Sequence, residues 1–335
     1  MDFFTAHDGV ELACHAYGDG PPVVCLPGGP MQAAAYLGDL GGLSAHRRLI
    51  MADLRGTGRS AVPPDTASYR CDRLVDDVEA LREHLGLDRM DLLAHSAGTN
   101  LAVLHAARHP ERVGRLVLIA PSVAAVGITV TEEVRRETAR LRAGEPWFPG
   151  AFAALEQVMS GQASRDAFRA IAPFWYGRWD ETARAHKAAE DEQRNDEAAA
   201  VFAAEGAFDP DATRAALTRL ASPVLLLAGE TDLNSPPAAV AELAALFPHA
   251  ELVVQAGAGH FPWLDDAGRF VATTSAFLRQ APIRPESAPV AAVPRGLSAE
   301  PAQRRGAPGA ASPSGGRSKG AGEWPAQIRR ETSSG

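Results

Sequence analysis

Apolar positions occur along the chain in short runs that alternate with amphipathic stretches. Seven runs rich in Val, Ile and Leu have lengths typical of β-strands, and they lie at residues 10–17, 23–26, 48–53, 90–94, 116–120, 224–228 and 251–255. Apolar positions recur at helical spacing between several of these runs, at residues 70–85, 99–108, 238–246 and 267–278. Alternation of this kind predicts an α/β fold with a mostly parallel sheet flanked by helices on both faces.

The alternation stops for about a hundred residues in the middle of the chain. Residues 122–219 contain helical patterns at 131–141, 151–159 and 180–204, but no strand pattern. We expect a core made of residues 1–121 and 220–280, with a helical cap at 122–219 inserted into it. A separate helical bundle is the alternative, and the strands that follow it argue against that. Residues 281–335, rich in Pro, Ala, Gly, Ser and Arg without apolar periodicity, are predicted to be a disordered tail.

Charge and cysteine content exclude several classes of protein. The formal net charge is -8, and no basic stripe interrupts the predicted core, which argues against a nucleic-acid partner. The apolar runs are too short to span a membrane, and the first residues do not resemble a secretory signal. Three cysteines, Cys14, Cys25 and Cys71, are odd in number and lack metal-ligand spacing. We therefore expect a cytoplasmic protein with free thiols and no metal.

The most informative stretch is Ala94-His95-Ser96-Ala97-Gly98. It joins the predicted strand at 90–94 to the predicted helix at 99–108, and small residues surround its serine. This arrangement is typical of a nucleophile elbow, in which a strained turn exposes a serine where strand and helix pass too closely for large side chains. The pattern predicts that Ser96 is a nucleophile.

A serine hydroxyl needs a neighbouring imidazole to take its proton, and the imidazole needs a carboxylate to orient it. Asp232 follows the predicted strand at 224–228, and His260 follows the one at 251–255. Both lie at the carboxyl ends of strands, as Ser96 does, and the order Ser, acid, His is that of α/β-hydrolases. We predict Asp232 as the acid and His260 as the base, with Glu230 as the alternative acid.

The predicted reaction also needs donors for a developing oxyanion. The backbone N–H of Ala97, directly after the serine, is one candidate. The loop Pro27-Gly28-Gly29-Pro30 follows an earlier strand, and Gly29 is the natural second donor because Pro30 has no N–H. After the third strand, we expect Asp53 and Arg55 to form a bidentate pair that holds their loop near the site, as a structural feature.

These motifs resemble those of the α/β-hydrolase superfamily and, within it, the prolyl aminopeptidase family, over residues 10–280. The family motif D-x-R-G-x-G-x-S is matched in full at residues 53–60. The family motif H-G-G-P-G corresponds to residues 27–31, where the first and last positions differ, and Ala97 stands where the family has tryptophan. The resemblance implies an α/β-hydrolase fold and cofactor-free cleavage of an ester or amide bond in a small-molecule or short-peptide substrate through an acyl-enzyme at Ser96. Prolyl aminopeptidase activity is the most specific form of this expectation. A general carboxylesterase, a haloperoxidase-like enzyme and a small-molecule-binding protein remain alternatives.

Two groups of cap residues bear on substrate choice. Trp175 and Tyr176 belong to an aromatic cluster at residues 173–179 that either lines a pocket over the nucleophile or joins the cap helices together. The resemblance implies that carboxylates hold a free α-amino group, and the acidic stretch that follows supplies three candidates. An acidic helix face exposed to solvent is the alternative for these candidates, which are Glu190, Glu192 and Glu197.

Overall fold

A computed structural model describes residues 1–280 of the chain. Eight strands form one sheet in the order β1-β2-β4-β3-β5-β6-β7-β8, in which β1 with β2 and β2 with β4 are antiparallel and all other pairs are parallel. The strands are β1 Asp2–Thr5, β2 Glu11–Tyr17, β3 Pro22–Leu26, β4 Arg48–Ala52, β5 Met90–His95, β6 Val113–Ile119, β7 Val224–Gly229 and β8 Ala250–Gln255. The predicted α/β fold is confirmed, and the four-residue β1 is the one strand that the apolar pattern missed.

Helices cover both faces of this sheet, which explains the nearly continuous apolar runs of the central strands. In β7, Val224 and Leu226 face a core shared with α1, α2 and α10, whereas Leu225 and Leu227 face α12. The helices are α1 Cys71–His84, α2 Gly98–Arg108, α3 Glu132–Arg140, α4 Phe148–Met159, α5 Arg165–Ala170, α6 Glu181–Ala188, α7 Glu190–Gln193, α8 Asp196–Phe202, α9 Pro210–Leu217, α10 Pro237–Ala244, α11 Pro262–Asp265 and α12 Ala267–Arg279.

Between β6 and β7 the chain forms helices α3 to α9 and adds no strand to the sheet. The single helix expected at 180–204 is divided into α6, α7 and α8. The division has a physical cause, because the chain between α7 and α8 bonds to the core. Ala33 N–H donates to the carbonyl of Gln193 at 2.8 Å, and Asn195 N–H donates to the carbonyl of Met31 at 3.0 Å. The boundaries 122–219 of a cap domain stay a prediction, and the tail predicted at 281–335 lies outside the described residues.

The three cysteines are buried and none forms a disulfide, as expected from their number and spacing. Burial raises the pKa of the Cys25 thiol far above its ordinary value. Within residues 1–280, no helix is long and apolar enough to cross a membrane.

The predicted pairing of Asp53 with Arg55 is wrong. Arg55 points to α1, where its Nε donates to Oδ2 of the buried Asp77 at 2.8 Å. Asp53 instead accepts backbone N–H groups from Ala34 at 2.9 Å and Arg59 at 3.0 Å. Asp53 and Arg55 belong to one loop, but the Arg55 guanidinium binds the buried carboxylate of Asp77 instead. Asp53 therefore ties its own loop to the segment that follows β3.

The first turn of α2 lies against the loop that follows β3. A Cβ atom built on Gly98 would lie 2.3 Å from the carbonyl oxygen of Pro27 and 2.7 Å from that of Leu26. Real Cβ atoms do not approach backbone this closely, so only glycine allows helix and loop to meet here.

We expect Gly98→Ala to lower the free energy of unfolding by about 1–3 kcal/mol, because neither backbone carbonyl can move without displacing β3. Urea denaturation measures the change. Gly144→Ala is the matched control, since nothing lies within 4 Å of a Cβ built at Gly144, and we expect a change within about 0.5 kcal/mol. Equal effects of the two substitutions would contradict the close approach at Gly98.

Candidate active site

Ser96 occupies a strained turn between β5 and α2. Its φ of 53° lies in the left-handed region, which residues other than glycine seldom adopt. Its N–H donates to the carbonyl of Ile119 at the end of β6, at 3.0 Å. Gly28 lies so close that a Cβ there would be 2.8 Å from the Ser96 Cβ. The predicted elbow geometry is therefore present, with small neighbours where the backbones crowd.

A continuous chain of hydrogen bonds joins the three side chains singled out from the sequence. His260 Nε2 lies 2.8 Å from Ser96 Oγ, and His260 Nδ1 lies 2.7 Å from Asp232 Oδ2. Asp232 is 0% exposed, whereas Ser96 and His260 keep 8% and 6% of their surfaces in contact with solvent. The loops after β5, β7 and β8 bring these residues together at one edge of the sheet, as their strand-end positions predict.

The structure places Asp232, and not Glu230, against the imidazole. Glu230 is exposed, and its carboxylate accepts the N–H of Gly257 at 2.8 Å. It therefore joins the loop after β7 to the loop after β8. Asp232 Oδ1 accepts the N–H of Asn234 at 2.8 Å, which leaves Oδ2 for His260.

The two predicted oxyanion donors lie on adjoining loops. A Cβ on Gly28 would be 3.1 Å from the backbone nitrogen of Ala97, so the loop after β3 touches the elbow directly. Gly29 has a φ of 112°, and a Cβ there would lie 2.7 Å from the Cβ of Gln32, so this position requires glycine. Within the described part of the chain, neither the Gly29 nor the Ala97 N–H has a hydrogen-bond acceptor. Both donors are thus left for another molecule.

The loop that carries His260 is held by the segment between α5 and α6. His260 N–H donates to the carbonyl of Trp175 at 2.7 Å. Asp265 accepts the N–H of Gly259 at 2.8 Å and that of Arg178 at 3.2 Å. Burial raises the pKa of Asp265, and these backbone donors act in the opposite direction. Sequence analysis missed these contacts because a backbone carbonyl has no residue type to identify it.

Arg135 of α3 is a second functional neighbour that the sequence did not reveal. It is buried, and its guanidinium donates to the carbonyl of Leu233, next to Asp232. Burial lowers its pKa to about 10, while the charge of Asp232 acts in the opposite direction. The loop that carries Asp232 is therefore held by a cation of α3. The sequence of α3 is that of an ordinary charged helix and does not mark Arg135 as different.

A cavity of about 90 Å³ opens onto Ser96 and His260. Trp175 and Tyr176 both line it, in agreement with one of the two interpretations of the aromatic cluster. Their neighbour Phe174 instead packs among the apolar side chains of α4 and α5. Trp175 also packs against these side chains, so the aromatic cluster both lines the cavity and joins the helices.

The wall of the cavity also carries charged side chains. Glu190 lines it together with Lys187 and Arg194. The Lys187 ammonium contacts one Glu190 oxygen, and Arg194 Nη1 lies 3.9 Å from the other. Arg194 Nε also lies 3.2 Å from Asp196. The carboxylate of Glu190 is therefore already neutralised by side chains of its own segment.

The other two predicted carboxylates do not reach this cavity. Glu192 lines a separate hollow together with His15 and Asp53, and residues 33–35 also line it. Glu197 is exposed and is not part of the wall of either hollow. The segment turns between these positions, because α7 is only one turn long and residues 193–195 bond to the core. Within residues 1–280, no group of three or more His, Cys, Asp or Glu side chains is arranged to hold a metal ion.

A family model described as the alpha/beta hydrolase fold matches residues 21–267. The match covers more than half of the chain, which therefore belongs to that family. A proline iminopeptidase of Heyndrickxia coagulans is 36% identical over 108 residues, which make up 32% of this chain and 38% of that protein. A (lyso)-N-acylphosphatidylethanolamine lipase of Mus musculus is 32% identical over 150 residues, 39% of this chain and 44% of that protein.

The matched segments thus span less than half the length of these two relatives. Among solved structures, a thermophilic esterase from Thermogutta terrifontis has a TM-score of 0.60 and 26% identity, covering 83% of this chain and 97% of the esterase. A proline iminopeptidase of Mycobacterium smegmatis has a TM-score of 0.63 and 23% identity. This match covers 83% of this chain and 97% of the iminopeptidase. The predicted resemblance to prolyl aminopeptidases is confirmed.

Burial lowers the pKa of three histidines, His95 beside Ser96, His105 of α2 and His186 of α6. In the unfolded chain their pKa returns to about 6.5. Each therefore binds its proton more readily when unfolded, so its contribution to stability is complete above pH 6.5 and is lost as the pH falls below that. We expect the free energy of unfolding to decline from about pH 7 to pH 5.5, by up to about 1.4 kcal/mol per pH unit for each histidine.

Urea denaturation at several pH values in this range measures the slope of the free energy of unfolding against pH. His105→Gln should make the slope shallower, because His105 is fully buried on α2. Gly144→Ala, which changes no titratable group, provides the control and should leave the slope unchanged. An identical slope in the wild type and His105→Gln would show that His105 does not contribute.

Proposed function

We propose that this chain is a serine hydrolase that cleaves an ester or amide bond of a small substrate through an acyl-enzyme on Ser96, without a cofactor. The observation that carries the proposal is the unbroken chain from Ser96 through His260 to Asp232, which faces a cavity. A purely binding protein would have no use for this alignment. We further propose a cytoplasmic enzyme whose partner is a small molecule or a short peptide.

In the first half of the proposed reaction, His260 Nε2 takes the proton of Ser96 Oγ as that oxygen attacks the substrate carbonyl carbon. Asp232 Oδ2 accepts the Nδ1–H of His260, which fixes the tautomer and stabilises the imidazolium. The carbonyl oxygen becomes an oxyanion that accepts the N–H groups of Gly29 and Ala97. His260 then gives its proton to the leaving alcohol or amine, and the C–O or C–N bond breaks.

In the second half, a water molecule replaces the leaving group. His260 removes a proton from it, the water oxygen attacks the acyl carbon, and the same two N–H groups receive the oxyanion. The ester bond to Ser96 then breaks as His260 returns the proton to Oγ. The products are a carboxylic acid and the free enzyme.

The charges of the cavity favour the carboxylesterase form of this activity. A substrate ammonium group would need Glu190, but Lys187 already contacts that carboxylate and Arg194 lies near it. An ammonium would therefore have to displace one cation while it approached another. A neutral ester makes no such demand. The prolyl aminopeptidase form is the second candidate, favoured by the position of Glu190 on the wall and by the iminopeptidase relatives.

We expect a fluorophosphonate probe to label the wild type at Ser96 and to leave Ser96→Ala unlabelled. Loss of Ser96 should lower kcat on the order of 10⁴- to 10⁶-fold, because the three side chains act as a unit. Ser160→Ala, which changes an exposed serine, is the control and should be labelled normally. Mass spectrometry of the labelled peptide identifies the site, and labelling at another serine would refute the mechanism.

The two acidic residues of the β7 loop provide a matched pair for the same assay. Asp232→Asn should lower kcat by roughly 10⁴-fold, because the amide favours the wrong imidazole tautomer. Glu230→Gln should leave kcat within about threefold, since Glu230 bonds to Gly257 and not to the histidine. The reverse order would transfer the role of the acid to Glu230.

For substrate choice, we expect kcat/KM for short p-nitrophenyl esters to exceed that for proline naphthylamide by at least about tenfold, because the cavity offers no unpaired carboxylate to an ammonium. Acylating the amine of the naphthylamide should not lower its turnover. If free-amine substrates are preferred and Glu190→Gln alone raises their KM, the aminopeptidase form is correct. Glu192→Gln is the control, because Glu192 lies outside the cavity.

A further inference from the structure

Two buried polar side chains next to the site play no part in the reaction described above. Tyr36 is 5% exposed and belongs to a short 3₁₀ helix at Ala34–Leu37, while His95 is 1% exposed and directly precedes Ser96. The Tyr36 hydroxyl lies 2.7 Å from His95 Nδ1 and 2.7 Å from the nitrogen of Gly28. His95 Nε2 lies 2.8 Å from the carbonyl oxygen of His260. These contacts join the loops that carry the oxyanion donor, the nucleophile and the base.

The direction of every hydrogen bond in this chain follows from its ends. The carbonyl of His260 can only accept, so His95 Nε2 carries a proton and donates. Burial holds the pKa of His95 well below its usual range, so Nδ1 has no proton and accepts. The Tyr36 hydroxyl must then donate to Nδ1, and its oxygen accepts the N–H of Gly28. For a neutral His95, no other arrangement satisfies all four groups.

We propose that Tyr36 is a positioning residue that aims the N–H of the oxyanion donor Gly29 at the carbonyl oxygen of the substrate. The N–H of Gly28 is held by the Tyr36 hydroxyl, and the carbonyl of Gly28 accepts the N–H of Gln32 at 3.0 Å. The two peptide planes on either side of Gly28 are therefore both fixed. Because N–H and C=O point in opposite directions across a trans peptide, fixing the Gly28 carbonyl also fixes the direction of the Gly29 N–H.

Glycine makes this support necessary. Gly28 has no side chain because a Cβ would lie 2.8 Å from that of Ser96. The same absence gives its backbone unusual freedom to rotate. Without the hydroxyl of Tyr36, the N–H of Gly28 would lose the acceptor that links it to the elbow. A small rotation there moves the oxyanion donor by a fraction of an ångström, enough to weaken transition-state binding.

The experiment compares Tyr36→Phe with the wild type, because phenylalanine keeps the ring contacts to His186, Phe261 and Trp263 and removes only the hydroxyl. We expect kcat for p-nitrophenyl acetate, per site titrated with fluorophosphonate, to fall about 10- to 100-fold while KM stays within about threefold. Affinity for an alkylboronic acid, whose serine adduct mimics the tetrahedral intermediate, should fall by the same factor as kcat/KM.

Tyr69→Phe is the matched control, since Tyr69 is also a buried tyrosine and its hydroxyl lies beside Gly56, in the loop after β4. A structural loss common to both variants would lower Tm and the number of titratable sites. Only Tyr36→Phe should lower kcat per titrated site and the affinity for the boronic acid.

His95→Gln provides a second variant, because it removes Nδ1, the acceptor of the Tyr36 hydroxyl. It should show the same loss in kcat with KM retained. The double variant should lose about as much as the more damaged single variant, since both act through one chain.

The inference rests on the proposed serine mechanism, and different experimental outcomes would refute the mechanism and the positioning role. If the probe does not label Ser96 in the wild type, the proposed function is wrong. If Ser96 is labelled but Tyr36→Phe keeps kcat per site and boronate affinity within about twofold, only the positioning role is wrong. Additive losses in the double variant would likewise contradict a single chain through His95.

Discussion

The site depends on backbone crowding where the strands end. Ser96 takes a left-handed conformation that its own side chain disfavours, and the surrounding peptides leave it no alternative. A Cβ on Gly98 would be 2.3 Å from a carbonyl of the β3 loop, and one on Gly229 would be 2.0 Å from the carbonyl of Gly259. Because peptide touches peptide at these points, side-chain rotation cannot loosen the contacts. The distances between serine, histidine and aspartate are consequently constrained by these backbone contacts at the ends of the strands.

Burial of the Asp232 carboxylate costs free energy, and the surrounding polar and charged groups offset that cost. Asp232 has no exposed surface, yet its two carboxylate oxygens accept from Asn234 and His260. The positive charge of Arg135 lies nearby on α3. A buried carboxylate without such partners would be strongly destabilising. The helical segment between β6 and β7 thus contributes to the electrostatics of the acid as well as to the walls of the cavity.

Sequence patterns were informative wherever a strand end coincided with a chemically distinctive side chain. Ser96, Asp232 and His260 each follow an apolar run, and parallel strands bring such positions to one edge. Patterns were uninformative where the partner is a backbone atom or a common residue type. The carbonyl of Trp175 has no residue signature, and the sequence around Tyr36 contains no recurrent motif. The break between α6 and α8 arises from bonds to distant residues, which local periodicity does not encode.

The hydrogen bond from His260 to the carbonyl of Trp175 has a consequence for how substrate range can evolve. Trp175 lines the cavity with its indole and also supports His260 with its main-chain carbonyl. Side-chain replacement at position 175 can reshape the cavity and keep that support, whereas an insertion or deletion nearby shifts the carbonyl and disturbs the histidine. Point substitution in this segment can therefore reshape the cavity, whereas replacement of the whole segment would displace His260 before it changed the cavity.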